Sequence, residues 1–202
     1  TLFYSFRSGL GINFLSLFSY YLSSPFNLLI LFFKKSQLNM AVSMIIVLKI
    51  ACSGMTAGIY FSSKSKKQGF STVMISMAYA LSSYMVGYCW NVMLLDAIMI
   101  FPIIMMGLER LIEKKDGRLY CIALFYALYC NYYIAFMICI FAVIWYLLYS
   151  FKSIKQFFFR GIAFAFYSFL AAGMAAILLI PAYMGIKQTA SGETMQLPEH
   201  SF

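Results

Sequence analysis

The stretch from Trp90 to Pro102 reads WNVMLLDAIMIFP and places one carboxylate, Asp96, inside an apolar run that continues to Glu109. A helix of this composition suits the hydrocarbon core of a membrane. An ionised carboxylate there costs about 2.5 to 3.5 kcal/mol at the bilayer centre and less near its edge. Because such a charge needs a partner or a function, we predict that the fold is organised around the helix that carries Asp96.

The composition of the chain is that of a membrane protein. Hydrophobic residues make up 63% of the 202 residues and charged residues only 10%, which excludes an ordinary soluble domain. The length accommodates about six spans of some twenty residues. We therefore predict an all-α polytopic transmembrane helix bundle over residues 40–184, with outward interfacial or re-entrant helices over 1–39 and an extracytoplasmic tail over 185–202. Since the chain begins at Thr1 and breaks off at Phe202, we expect a fragment of a longer protein.

Two signals mark the region before the bundle. Residues 1–24 carry apolar side chains at helical spacing among polar ones, which predicts an amphipathic segment in the membrane interface. Ser24 followed by Pro25 is a typical helix start, with an N-cap and then Pro at the first helical position. The apolar run from Phe26 to Phe33 is too short to span, so it predicts a second interfacial or re-entrant helix.

Six apolar segments follow. They are predicted at 40–62 and about 70–90, in the Asp96 helix after a corner at Trp90 and Asn91, and at 119–131, 132–151 and about 161–183. The segment 119–131 is short for a full crossing, so it is tilted, begins within the preceding loop or lines a cavity. The last span is predicted to end at Pro181.

The span at 40–62 has a polar face. Its polar side chains recur at i, i+4, i+7 and i+11, which puts them on one side of a helix that should face the bundle interior. They are Lys49, Ser53, Thr56 and Tyr60. Lys49 lies about 14 Å from one end of the span, near the predicted midplane. Gly54 and Gly58 form a GxxxG spacing, which favours close packing against a neighbouring helix.

Basic residues set the predicted orientation. The chain has fifteen Lys and Arg against six Asp and Glu. The loops 63–69, 110–118 and 152–160 hold three, four and three of the fifteen, ten in all. The positive-inside rule places these loops in the cytoplasm and both chain ends outside the plasma membrane. Basic clusters between apolar runs favour membrane lipids as partners over nucleic acid.

Cysteine and histidine give no signature of a metal or disulfide site. The five cysteines lie within or at the ends of apolar segments without CxxC spacing, and the single histidine, His200, lies in the polar tail. We therefore predict no metal-ligand cluster from the residues themselves. The need for a divalent metal cofactor stays open.

Several short motifs, in the same order along the chain, resemble those of the YfhO family of bacterial multi-pass membrane proteins. They are Gly9-Leu10-Gly11-Ile12-Asn13-Phe14, the run from Ser19 to Leu29, Tyr88-Cys89-Trp90-Asn91, Leu95-Asp96-Ala97, Gly107-Leu108-Glu109-Arg110-Leu111 and Asn131-Tyr132-Tyr133. The resemblance implies a GT-C-like glycosyltransferase fold that moves sugar from a polyprenyl-phosphate donor to a teichoic-acid-type acceptor of the cell envelope, outside the membrane. Enzymes of that superfamily generally rely on an acidic residue in the first extracytoplasmic loop, which we expect upstream of Thr1.

Asp96 is the predicted catalytic residue. Its functional interpretation is a general base, a metal ligand or an orienting group for an acceptor hydroxyl, because inverting sugar transfer needs a carboxylate opposite the departing phosphate. Its structural interpretation is a buried carboxylate paired with Lys49 or hydrogen-bonded by Tyr and Ser hydroxyls. The sequence leaves both interpretations open.

The other candidates are predicted to bind substrate. Lys49 either neutralises the donor phosphate or pairs with an acid such as Asp96. Arg7 lies at a better depth for a bidentate contact with phosphate. The remaining candidates are Asn13, Trp90, Asn91, Asn131, Tyr132 and Tyr133. Their aromatic members are interpreted as a sugar-stacking platform or as interfacial anchors, and the asparagines at the two corners as hydroxyl binders or helix caps.

Two rival functions fit the same residues. A transporter or flippase of a lipid-linked sugar would use Lys49, Asp96 and the short 119–131 segment as a polar path at midplane depth. The absence of an evident inverted repeat between the halves of the sequence counts against it. A non-catalytic membrane assembly subunit would need Asp96 only for folding.

Overall fold

Long apolar runs form the helices, and charged or glycine-containing loops end them. The computed structural model describes residues 4–5, 12–13, 22–64, 69–114, 116–149 and 154–187. Within these residues there are seven α-helices: α1 (Leu38–Lys64), α2 (Phe70–Ala80), α3 (Ser83–Gly87), α4 (Val92–Lys114), α5 (Arg118–Cys130), α6 (Tyr132–Tyr149) and α7 (Ile154–Lys187). With α2 and α3 taken together, five segments are long and apolar enough to cross a membrane, and α5 is a shorter apolar helix. The predicted all-α polytopic bundle is confirmed.

The polar face of α1 docks on α4. Three of its four polar residues are buried, and the fourth, Tyr60, is partly buried. Thr56 Oγ1 donates a hydrogen bond to the Met99 carbonyl of α4 at 2.6 Å, and the Tyr60 hydroxyl donates to Glu109 Oε1 at 3.0 Å. Lys49 donates to α4 as well. The predicted interior orientation of this face is therefore confirmed.

The glycines of α1 pack against α2. A Cβ atom on Gly54 would lie 3.2 Å from Ala80 Cβ, and one on Gly58 would lie 3.3 Å from Ser76 Oγ. Both spaces are tight for a larger side chain. The close packing predicted from the GxxxG spacing is confirmed, and α1 is held between α2 and α4.

Helix α4 is the central element. In the most apolar stretch of α4, 61% of the residues are buried inside the protein, against 17–28% in the corresponding stretches of the other four spanning segments. A Cβ atom on Gly107 would lie 2.5 Å from the backbone nitrogen of Tyr120, so only glycine lets α5 approach α4 this closely. A buried apolar cluster continues from these two helices into α6 and α7; its members include Ile104, Leu108, Leu124, Ile138, Ala142 and Ala171.

Pro102 lies inside α4 and removes one helical hydrogen bond. Because proline has no N–H, the Ile98 carbonyl, four residues earlier, loses its usual donor. The Tyr79 hydroxyl of α2 donates to that carbonyl at 2.7 Å. A neighbouring helix thus supplies the missing donor in a region where water is scarce.

The predicted span at 70–90 is not one continuous helix. Helix α2 ends at Ala80, and α3 begins at Ser83 after the backbone of Ser82 turns extended, with ψ at 151°. Serine competes for local hydrogen bonds and favours the positions that flank helix starts, which explains a break at this pair of serines.

The last candidate membrane span runs from Phe157 to Pro181 and so ends where predicted, but the helix that contains it does not stop at Pro181. Helix α7 continues through it to Lys187, three residues into the predicted tail, and starts at Ile154 within the predicted basic loop. Proline is tolerated inside membrane helices because neighbouring groups satisfy the freed carbonyl. The rest of the predicted tail lies outside the described residues.

The region before the bundle contains strand and 3-10 structure. Tyr4–Ser5 pairs antiparallel with Ile12–Asn13, so the predicted helical character is wrong at these four residues. Tyrosine and isoleucine are typical strand residues, and pairing satisfies their backbone groups. A helix does begin at Pro25 as predicted, but the segment Pro25–Phe32 is a 3-10 helix, longer than most of its kind.

Removing the Tyr79 hydroxyl should leave the Ile98 carbonyl without a donor. We expect Tyr79→Phe to lower the free energy of unfolding by about 1–3 kcal/mol, measured by denaturant unfolding in detergent micelles. In a Pro102→Ala background the residue at 102 regains its N–H, so the same substitution should cost much less. Equal losses in the two backgrounds would contradict this pairing.

Candidate functional site

The candidate site lies where α4 and α6 begin and α5 ends, which we call the corner end. The segment 22–33 packs there, because the Ser23 hydroxyl donates a hydrogen bond to the Cys130 carbonyl at 2.9 Å. This bond ties the 3-10 helix to the last residue of α5. Five elements meet at the corner end: the segment 22–33, α1, α4, α5 and α6.

A buried ion pair forms the floor of the corner end. Lys49 Nζ lies 2.6 Å from Asp96 Oδ2, and both side chains are 0% exposed. Nζ also donates to the Val92 carbonyl at 2.8 Å and lies 5.6 Å from the centre of the Phe26 ring. The Tyr126 hydroxyl lies 3.4 Å from the other carboxylate oxygen, Oδ1. The Lys49 ammonium thus contacts two oxygen acceptors and an aromatic ring, and the Asp96 carboxylate contacts an ammonium and a hydroxyl donor.

The pairing agrees with the structural interpretation of Asp96. An isolated charge in hydrocarbon is unfavourable, and a partner at hydrogen-bond distance offsets much of that cost. The carboxylate is enclosed in this conformation, so it contacts protein groups only. Its role as a catalytic residue stays a prediction.

The two ends of the Asn131 side-chain amide differ in their contacts, and only the oxygen end caps helix α6. Its Oδ1 accepts a hydrogen bond from the Ile134 backbone N–H at 3.0 Å, as expected of a helix cap. The side chain is 0% exposed, and its Nδ2 has no hydrogen-bond partner among the residues that the structure describes. Ser24 Oγ, in the segment 22–33 that packs at this corner, is also buried and has no hydrogen-bond partner among the described residues.

The candidate aromatic residues occupy two settings. Trp90 is 69% exposed, and its ring lies 6.4 Å from that of Tyr88, which stacks on Tyr84 at 5.2 Å. Tyr132 and Tyr133 line a groove of about 470 Å³ beside α7, together with Phe136, Tyr183 and aliphatic side chains. Both settings present ring faces, so stacking on a sugar stays a prediction for each.

Three predicted substrate-binding residues remain, and the structure describes two of them, Asn13 and Asn91. Arg7 lies outside the described residues. Asn13 is the second residue of its short strand and faces Tyr4 in the register. Asn91 is partly buried and starts α4, because its carbonyl accepts the Leu94 N–H at 2.9 Å. Its interpretations as a helix cap and as a hydroxyl binder both stay predictions.

Over residues 1–200 the chain matches the family described as bacterial membrane protein YfhO. The chain belongs to the YfhO family. The comparisons with curated proteins and with solved structures gave no match. Together with the five spanning segments, the family match identifies a multi-pass membrane protein.

Sequence reasoning missed three contributors to the site of this YfhO-family protein. Tyr126 approaches Asp96, the Cys130 thiol lies close to both, and Ser23 joins the 3-10 helix to α5. Tyr126 and Cys130 are four residues apart on one helix, so their i, i+4 spacing before Asn131 was the available signal. Cysteine was interpreted only as a small hydrophobe, and Ser23 gave no signal.

The described residues offer few ligands for a divalent metal. Among them, no three His, Cys, Asp or Glu side chains come together. Asp96 is the acid at the corner end, and Lys49 already balances its charge. The donor set of hard oxygen ligands that Mg²⁺ or Mn²⁺ prefers is thus not built from this part of the YfhO-family chain.

Breaking the ion pair from one side should destabilise this YfhO-family bundle, because the remaining charge stays buried without its partner. We expect Lys49→Met or Asp96→Asn alone to lower the free energy of unfolding by about 3–5 kcal/mol. The double variant carries neither charge and should lose clearly less than the sum of the single losses.

Denaturant unfolding in micelles measures all four proteins of this cycle. Lys34→Met is the matched control, because Lys34 is exposed and its replacement should change the stability by less than about 0.5 kcal/mol. Strictly additive losses in the cycle would contradict direct pairing of the two side chains.

Proposed function

We propose that this YfhO-family chain belongs to a membrane glycosyltransferase. It would move a sugar from a polyprenyl-phosphate donor to a teichoic-acid-type polymer on the outer side of the plasma membrane. The observation that carries the proposal is the corner end, which holds a buried ion pair and two buried polar atoms without hydrogen-bond partners among the described residues. Membership of the YfhO family and the GT-C-like resemblance support the same reaction class.

The length of α5 supports a polar recess at this position. Thirteen residues at about 1.5 Å each span roughly 20 Å, about 10 Å less than the hydrocarbon core. Because α5 starts beside the basic loop at Arg118, it ends within the membrane thickness. Asn131, and Ser23 whose hydroxyl bonds to the Cys130 carbonyl, would therefore lie at a depth that a lipid-linked substrate reaches from the side.

The proposed reaction is a direct displacement at the anomeric carbon. The acceptor oxygen bonds to that carbon, the bond from the carbon to the donor phosphate oxygen breaks, and the phosphate leaves with the electron pair. A carboxylate accepts the proton of the acceptor hydroxyl, and a cation stabilises the departing phosphate. In the described part of the chain, Asp96 and Lys49 are the residues proposed for these two roles.

Access to the pair requires the segment 22–33 to move. The Phe26 ring covers the Lys49 ammonium, and the Ser23 hydroxyl bond holds the segment to α5. Withdrawal of this segment would uncover Lys49 and Asp96 together from the corner end. Arg7 is proposed as a further phosphate ligand, and Trp90 and Tyr133 as rings that pack against sugar.

A flippase of the same lipid-linked sugar is the second candidate. The buried charge pair and the short α5 favour it, since both suit a polar path through the membrane. The two functions differ in the fate of the donor, because a transferase separates sugar from lipid and a flippase does not.

The test uses full-length protein in proteoliposomes with a labelled polyprenyl-phosphate sugar and a teichoic-acid acceptor. We expect wild type to move label to the acceptor. The double variant Lys49→Met with Asp96→Asn, at matched folded protein, should lower the transfer rate by about 100-fold or more. Lys34→Met should retain the rate.

Two results would contradict the proposal in different ways. Label that crosses the bilayer while it stays on the lipid would show a carrier. Undiminished transfer by the folded double variant would restrict the ion pair to a structural role.

A further inference from the structure

Two buried polar atoms at the corner end lack hydrogen-bond partners within the described part of the chain. They are Ser24 Oγ and Asn131 Nδ2, on residues that are 4% and 0% exposed. The residues just before them, Ser23 and Cys130, are joined directly by a hydrogen bond of 2.9 Å. Both atoms therefore belong to one interface, between the segment 22–33 and the corner from α5 to α6.

Helix capping provides neither atom with a hydrogen-bond partner. Ser24 occupies the N-cap position of the 3-10 helix, yet its side chain makes no capping hydrogen bond. Asn131 uses Oδ1 to cap α6 through the Ile134 N–H, and this bond fixes the other end of the carboxamide as the N–H donor. Buried polar groups without partners are rare in native proteins and point to a bound ligand or water.

The chemistry of the two groups defines what they can bind. Asn131 Nδ2 donates hydrogen bonds, and a serine hydroxyl both donates and accepts. A group that satisfies both offers an acceptor oxygen and a proton, as the hydroxyl of an alcohol or a water molecule does. A cation is excluded by the amide donor. A phosphate would need a positively charged donor in direct contact, and neither Ser24 nor Asn131 carries a charge.

We propose that Ser24 and Asn131 bind a hydroxyl group of the sugar that the donor lipid carries. This inference rests on the proposed glycosyltransferase function and assigns the sugar-recognition part of its site. Asn131 directly follows α5, the helix that brings Tyr126 within 3.4 Å of the Asp96 carboxylate, so a sugar held there lies beside the ion pair. The segment 22–33 covers the subsite and would close over the bound sugar.

The experiment measures binding to full-length protein in lipid nanodiscs. The probes are polyprenyl-phosphate glucose and polyprenyl phosphate without sugar. Ser24→Ala removes only the hydroxyl, and Asn131→Ser removes the amide donor while it keeps an oxygen that can cap α6. Ser43→Ala is the control, because that exposed hydroxyl bonds only to its own helix at the Asn39 carbonyl.

We expect each site variant to bind the glucose lipid about tenfold more weakly than wild type and the sugar-free lipid equally well. The melting temperature of Ser24→Ala without ligand should be unchanged or higher, since the lost hydroxyl has no hydrogen-bond partner among the described residues. The control should match wild type in both readouts.

The outcomes separate this inference from the function on which it rests. If wild type neither prefers the glucose lipid to the sugar-free lipid nor transfers labelled sugar to the teichoic-acid acceptor, the proposed function is contradicted. If wild type shows the preference and both site variants keep it, the subsite alone is wrong. A lower melting temperature of Ser24→Ala with unchanged preference would make Ser24 a structural residue.

Discussion

The ion pair between Lys49 and Asp96 is the interaction on which the rest of the bundle depends. Neither charge is tolerated alone in hydrocarbon, so α1 docks on α4 in the one register that brings Nζ within 2.6 Å of Oδ2. Further along the same face, Thr56 and Tyr60 also donate hydrogen bonds to α4. At the far end, Glu109 accepts a hydrogen bond from the Tyr60 hydroxyl and forms an ion pair with Lys64, whose Nζ lies 2.7 Å from Oε1. One face of α1 is thereby fixed along much of its length.

Helix α4 needs specific partners on its other faces as well. The carbonyl freed by Pro102 takes a hydrogen bond from Tyr79, and Gly107 admits the backbone of α5. Helix α5 is short, and the segment 22–33 packs on its end at Cys130. The same constraints that hold the helices together therefore gather buried polar groups at the corner end, where a function in sugar transfer is proposed.

Much of this architecture could be predicted from the sequence, because hydropathy and helical spacing are local signals. The polar face of α1 and the pairing of Lys49 with Asp96 follow from spacing and from the cost of a buried charge. The uninterrupted helix through Pro181 depends on neighbouring elements, which a single sequence does not show. The break at Ser82 falls at a pair of serines, a local signal that the long apolar run around it obscured. Tyr126 offered only its i, i+4 spacing with Cys130 as a signal, and Ser23 reaches the site only through tertiary packing.

Direct observation of the ion pair in a bilayer is the most decisive measurement. The Asp96→Asn variant identifies the Asp96 signal, because it removes that carboxyl carbon and leaves every other aspartate in place. Solid-state NMR with ¹⁵N-lysine and ¹³C-aspartate then measures the distance from Nζ to Cγ of Asp96. The structure predicts a dipolar coupling that corresponds to less than about 4 Å. A closest lysine nitrogen beyond about 6 Å would contradict the account, because the charges would then be unpaired.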